Sequence, residues 1–185
     1  MKRTIVQYGD PVLRAKGRRI ENVDEQIRAL ASDMLETMRA ANGVGLAAQQ
    51  VGEALQLTVL DVSAVEDRPS SLKLNGEEID PKIAMPLVLL NPELTLTEEA
   101  EPGTEGCLSF PDITAEIERA ISVKGAADTL DGARIEIEAS GLLARALQHE
   151  LDHLHGILFI DRMSSVAKAS LSSRLKRLQK DNKRH

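Results

Sequence analysis

The run Gln148-His149-Glu150-Leu151-Asp152-His153-Leu154-His155-Gly156 places two histidines four residues apart. On a helix they share one face, with Cβ atoms about 5–6 Å apart, close enough for a single metal ion to take both imidazoles. Glu150 follows the first of them directly, where a carboxylate reaches a metal-bound water and acts as general base. An amphipathic helix can also carry two histidines by chance, so a third ligand is needed to decide. Asp152 turns away on such a helix, and His155 lies off the shared face. The only cysteine, Cys107, stands in Glu105-Gly106-Cys107-Leu108-Ser109. An isolated cysteine is often just a small buried hydrophobe. Gly106, however, allows close approach, and a thiolate with two imidazoles makes a tetrahedral site with one position open for water. The chemistry these residues suit is metal-dependent hydrolysis.

A third segment, Gly43 to Gly52, reads GVGLAAQQVG. It neither follows a strand nor opens a βαβ unit, which argues against a nucleotide loop. A tight turn of small residues packed on a helix accounts for Ala47 and Ala48 but not for Gln50, whose amide can donate a hydrogen bond into a site.

These residues need elements to hold them. Asn22 followed by Glu25 resembles a capping box, and Ile27, Leu30, Ala31, Met34, Leu35, Met38 and Ala41 recur at helical spacing, predicting a helix over about 24–41. It should stop at Asn42-Gly43, with Gly43 left-handed. Leu55–Val62 and Leu87–Asn91 read as strands, the second ending before Pro92, and Ser63–Pro86 reads as a long surface loop or insertion. Runs 121–127 and 133–139 flank Asp131-Gly132 and predict a hairpin with Ile135 and Ile137 inward. Ser140 can cap a helix over 141–155 that Gly156 ends, and a last helix starts near Ser164. The fold class expected is α+β, with mixed or antiparallel strands around a central metal-binding helix and a further helix toward each end.

The chain has 185 residues, 42% hydrophobic and 28% charged, enough for one close-packed aliphatic core. A lone cysteine excludes an internal disulfide and fits a reducing compartment. No leader-like or membrane-length apolar run is present. The expectation is a soluble cytoplasmic protein with neither membrane nor DNA as partner. Charge is uneven: from Ser164 to His185 seven Lys/Arg face one acid, whereas the whole chain carries a net −6. This basic tail, with Ala167, Leu171, Leu175 and Leu178 on one stripe, predicts an amphipathic helix with a cationic face. Residues 1–163 are read as the catalytic part and 164–185 as a helix of the same domain.

Taken together, GVGLAAQQ, EGCLS and QHELDHLHG resemble peptide deformylases, whose pattern GxGLAAxQ, EGCLS, QHExDHLxG they match in order and without a mismatch. The resemblance implies Cys107, His149 and His153 as metal ligands and Glu150 as the acid/base residue. It implies that Gln50 and the Leu108 backbone N–H form an oxyanion site. Backbone contacts near Val44, Gly45, Glu105 and Gly106 would hold the peptide as an added strand. The implied reaction is hydrolysis of the N-formyl group from N-formylmethionyl nascent peptides, with a metal-bound water or hydroxide as nucleophile. The implied cofactor is one divalent ion, Fe2+ in the cell, with Zn2+, Ni2+ or Co2+ able to substitute. Val44, Leu142 and Leu143 are candidate walls of a methionine pocket in which Ala146 leaves room. Arg145 either borders that pocket or snorkels to solvent. The basic tail resembles the ribosome-docking helix of bacterial relatives.

Two other readings compete. A His-Glu-x-x-His endopeptidase would share two ligands and the base, but it usually takes its third ligand from downstream, against Cys107. A structural zinc module would close the site with a fourth protein ligand, and an inactive ribosome-binding paralogue would normally lack Glu150 or Gln50.

Overall fold

In the computed structural model, which describes residues 1–183, nine strands and four α-helices form an α+β fold. Helix α1 spans Glu25–Ala40, and its cap is Asp24, whose side chain accepts from Ile27 N, rather than Asn22. At its other end Asn42, not Gly43, takes the left-handed conformation. Asparagine tolerates that region, so the glycine is free for another purpose: a Cβ at 43 would press on the Leu108 side chain. Leu30, Ala31, Met34 and Met38 then pack on Leu46, Leu57 and Val59 of the sheet.

The larger sheet is antiparallel throughout, in the order β1-β2-β5-β8-β9-β3-β4. Its strands are β1 (Gly45–Ala47), β2 (Leu57–Leu60), β3 (Ser70–Leu74), β4 (Glu77–Glu78), β5 (Leu87–Leu96), β8 (Ser122–Asp128) and β9 (Arg134–Ser140). Two expectations need correction. Strand β5 does not end before Pro92 but continues to Leu96, because a register shift between Leu90 and Glu93 takes the proline out of the ladder. Segment 63–86 is not a plain loop: β3 and β4 form a hairpin about Asn75-Gly76, both left-handed, and β3 pairs with β9. The helix α2 (Pro81–Ala84) follows within the same segment.

Strands β6 (Ala100–Cys107) and β7 (Phe110–Ala120) make a separate two-stranded sheet. The sequence conceals β6 because the one residue it buries is Glu105, so no apolar alternation marks it. Its ladder shifts between Gly106 and Cys107.

Helix α3 (Gly141–Leu154) lies between the two sheets with eleven of its fourteen residues buried. Leu142, Leu143 and Leu147 pack on the larger sheet through Leu60, Leu89 and Ile137. Ser140 occupies the cap position, but its side chain accepts no capping hydrogen bond. Ser70 of β3 supplies it instead, its Oγ accepting from Leu143 N at 2.9 Å. Left-handed Gly156 follows the helix end. Helix α4 (Ser165–Asn182), capped by Ser164, sets Leu175 against a cluster containing Leu13, Phe110 and Phe159. The final two residues of the basic tail, 184–185, lie outside the described residues. None of the helices described is long and apolar enough to cross a membrane.

Candidate metal centre and substrate cleft

Helix α3 presents His149 and His153 on one face, their ring centroids 4.9 Å apart. From the other side the β6–β7 turn delivers Cys107, with Sγ 3.4 Å from His153 Nε2. One donor atom from each of the three residues falls within 4.8 Å of the other two. A soft thiolate with two imidazoles at that spacing fits one divalent transition metal. Asp152 and His155, set aside on helical geometry, stay away: Asp152 pairs with Arg119 and Arg162, and His155 is exposed.

His149 is held from behind. Its Nδ1 lies 2.9 Å from Glu105 Oε1, which leaves Nε2 for the metal side. The same carboxylate accepts from Arg119 Nε at 2.9 Å and Nη2 at 3.0 Å, and from Arg145 Nη1 at 2.9 Å. Burial alone would raise the Glu105 carboxyl, but the hydrogen bonds to His149 and Arg119 outweigh it and hold it down at about 2. On His149 burial likewise opposes charge, yet Cys107 and Glu105 together raise its pKa above the ordinary value. His153 moves the other way, lowered by burial and by the His149 charge.

Arg119 continues from Glu105 to Asp152 Oδ2 at 2.6 Å, and Asp152 Oδ1 accepts from Arg162 at 2.8 Å. Sequence reasoning missed this chain of charges. A signal was available: Ile113, Ala115, Ile117 and Arg119 alternate along β7, so the arginine occupies an inward position on an apolar stripe. Arg145 does not snorkel to solvent. It is buried, and beyond Glu105 it donates to the carbonyls of Ile117 and Glu101, both at 2.8 Å. Gly103 makes room for it, since a Cβ there would stand 2.8 Å from the guanidinium.

Glu150 is buried beside β1, with Oε2 free of any protein hydrogen bond. Burial pushes its carboxyl up to about 7, against the pull of His149. Gly45 leaves room beside it, because a Cβ there would displace the Glu150 carboxylate. Gln50 turns its Oε1 to accept from Ala47 N at 2.9 Å. Its Nε2 is thereby aimed at Cys107 Sγ, 3.5 Å away, and at Ser109 Oγ, 3.3 Å away.

A cleft of about 500 Å3 opens over this cluster. Val44, Gly45, Gln50, Glu105, Gly106, Cys107, Leu108, His149 and Glu150 all line it, and Leu142, Arg145 and Ala146 form part of its wall. Leu143 does not: it is fully buried in the core beneath, one helical position out of phase with Leu142.

A cysteine sulfur, two helix-borne imidazoles, a buried carboxyl of raised pKa and an inward-facing amide, gathered under one cleft, are the equipment of a metal-dependent hydrolase. Comparison with known proteins specifies it further. The polypeptide deformylase family matches residues 2–169. The peptide deformylase of Methylacidiphilum infernorum is 44% identical over 176 residues, covering 95% of this chain and 92% of its own length. That of Acinetobacter baumannii is 41% identical over 181 residues, covering 97% and 93%. The crystal structure of the Thermus thermophilus enzyme superposes with a TM-score of 0.82 at 36% identity over 98% of this chain and 99% of that one. A plant peptide deformylase gives 0.83 at 41% identity, covering 96% and 89%. The chain belongs to the polypeptide deformylase family of metal-dependent hydrolases.

Proposed function

We propose that this protein hydrolyses the N-formyl group from the N-terminal formylmethionine of nascent polypeptides, releasing formate and a free amino terminus. The observation that carries this is the convergence of Cys107, His149, His153, Glu150 and Gln50 on one cleft in a chain of this family. Cys107, His149 and His153 would hold one divalent ion, which supplies Lewis acidity and lowers the pKa of a water to about 7. In the cell we assign Fe2+. Zn2+, Ni2+ or Co2+ can replace it on the same donors, and zinc generally binds such sites more tightly than iron.

The remaining chemistry falls to the chain's own groups. Glu150 takes the proton from the attacking water and returns it to the leaving amine. The Gln50 amide and the Leu108 N–H hold the formyl oxygen as it gains charge, each such donor being worth roughly 2.7–4 kcal/mol. Strand β1 is an edge of the larger sheet, and β6 is an edge of the smaller. A peptide laid between Val44-Gly45 and Glu105-Gly106 would be recognised through its backbone as an added strand, with its methionine side chain toward Val44, Leu142 and Ala146. In this reading residues 1–163 form the catalytic body and the basic segment from 164 is a helix packed on it, whose cationic face contacts ribosomal RNA. The reaction belongs in the cytoplasm, where nascent chains arise.

The test is anaerobic formate release from a formyl-methionyl peptide by iron-loaded protein, compared with Glu150→Ala carrying the same metal content. Wild type should release formate, and the variant should be slower by about 10²–10⁴-fold. Acetylated and internal peptide bonds should stay intact. No release by fully metallated wild type, or cleavage of internal bonds, would overturn the assignment.

A further inference from the structure

The charges around the cleft are not equally engaged. Glu105, Arg145 and His149 are tied to one another, and Glu150 is buried against Gly45. Arg68 also lines the cleft, yet it is exposed and has no ion-pair or hydrogen-bond partner among the described residues. It comes from the 63–86 segment, the part of the chain in which the sequence shows no chemical motif.

Arg68 is not at the end of a loose loop. The next residue, Pro69, accepts Leu142 N through its carbonyl at 3.2 Å, and Ser70 Oγ accepts Leu143 N at 2.9 Å. Two of the N–H groups that begin the metal-binding helix are therefore satisfied by the residues directly after Arg68. Gly141, left-handed with φ +69°, has no room for a Cβ, which would collide with the Pro69 carbonyl. The segment is thus fastened to the helix whose Leu142 walls the cleft, so the Arg68 backbone is anchored beside the cleft that its side chain lines.

We infer that Arg68 is a specificity residue that favours peptides bearing a carboxylate downstream of the formylated residue. The inference rests on the deformylase reading and refines its substrate class. A guanidinium with no internal partner gains most from an incoming carboxylate. The acidic group can be an Asp or Glu side chain or the free C-terminus of a short peptide, and both present the same chemistry. Of the three acids on the cleft lining, Glu105 is paired with Arg119 and Arg145 and Glu150 is buried, so exposed Asp112 is the one that works most directly against this preference.

The experiment measures kcat/KM for formyl-Met-Ala-Asp-Ala and formyl-Met-Ala-Lys-Ala, each as C-terminal amide and as free acid, with wild type, Arg68→Ala, Arg68→Glu and Arg68→Lys. For an exposed pair the Asp/Lys ratio of the amides should fall about two- to fivefold in Arg68→Ala. It should fall further in Arg68→Glu, survive in Arg68→Lys, and flatten in high salt. If only the free-acid-to-amide ratio moves, the carboxylate recognised is the peptide terminus. Ratios identical in all four proteins would overturn the inference while leaving the activity standing. No release from any formyl peptide by wild type would overturn both.

Discussion

Helices α3 and α4 are of similar length and both amphipathic, but they relate to the fold in opposite ways. Eleven of fourteen residues of α3 are buried, including Arg145, Gln148, Glu150, Asp152 and His153. Helix α4 is longer, at eighteen residues, and buries Leu175 alone. On α3 every polar side chain is held by partners from another element or serves the site, and Arg145, His149 and Asp152 are joined through Glu105 and Arg119. On α4 the charges are exposed, and apart from Arg174, which reaches the Asp112 carbonyl, and the loose Arg177–Asp181 pair, they can be changed one at a time. The difference separates chemistry that depends on exact placement from chemistry that depends on summed charge.

The sharpest way to break that comparison is Arg119→Met. The arginine is 4% exposed and bridges Glu105 to Asp152. Removing it leaves two buried carboxylates with one fewer partner each, and a broken buried pair costs about 3–5 kcal/mol. Chemical denaturation should show a loss of this order. A loss under 1 kcal/mol would mean that Arg145 and Arg162 suffice and that the network is not cooperative.

Glu105→Gln probes the same network closer to the Cys107, His149 and His153 cluster. An amide is nearly the same size but no longer balances two guanidiniums or orients His149 with a full charge. Metal affinity, read by competition with a chromogenic chelator, should fall about 10–100-fold. Unchanged affinity would show that ring packing alone positions His149.

These two residues also mark where the sequence stopped being legible. The clustering of Cys107, His149 and His153 was readable because a His-Glu-x-x-His spacing puts both imidazoles on one helix face, and helical geometry turned Asp152 and His155 away from it. The β8–β9 hairpin and the helix ends were readable from Asp131-Gly132, Ser164 and Gly156. Glu105 was noticed only for its backbone. Its side chain satisfies two arginines and a histidine that lie 14, 40 and 44 residues away, contacts that no local pattern encodes. Strand β6 was missed for the same reason, because its buried residue is that glutamate. In 63–86 the Asn75-Gly76 turn was a usable signal, but the apolar alternation beside it is only the pair Leu72 and Leu74, too short to mark a strand by itself.

The smallest structural effect is expected on α4, from the triple charge reversal Lys176→Glu, Arg177→Glu and Lys180→Glu. Deleting the helix would be a poorer test. It would remove Leu175 from the core cluster and Arg174, whose Nη2 donates to the Asp112 carbonyl at 2.5 Å beside the cleft. The three chosen residues are exposed. Each substitution should alter stability by about 0.5 kcal/mol or less, and formate release from a short peptide should stay at the wild-type level. Co-sedimentation with ribosomes at low salt should be lost, because attraction to RNA scales with the number of phosphates neutralised. Binding that persists in the triple variant would remove the docking role. A large loss of stability would mean that the α4 charges are coupled as those of α3 are, and the contrast between the helices would then be one of burial alone.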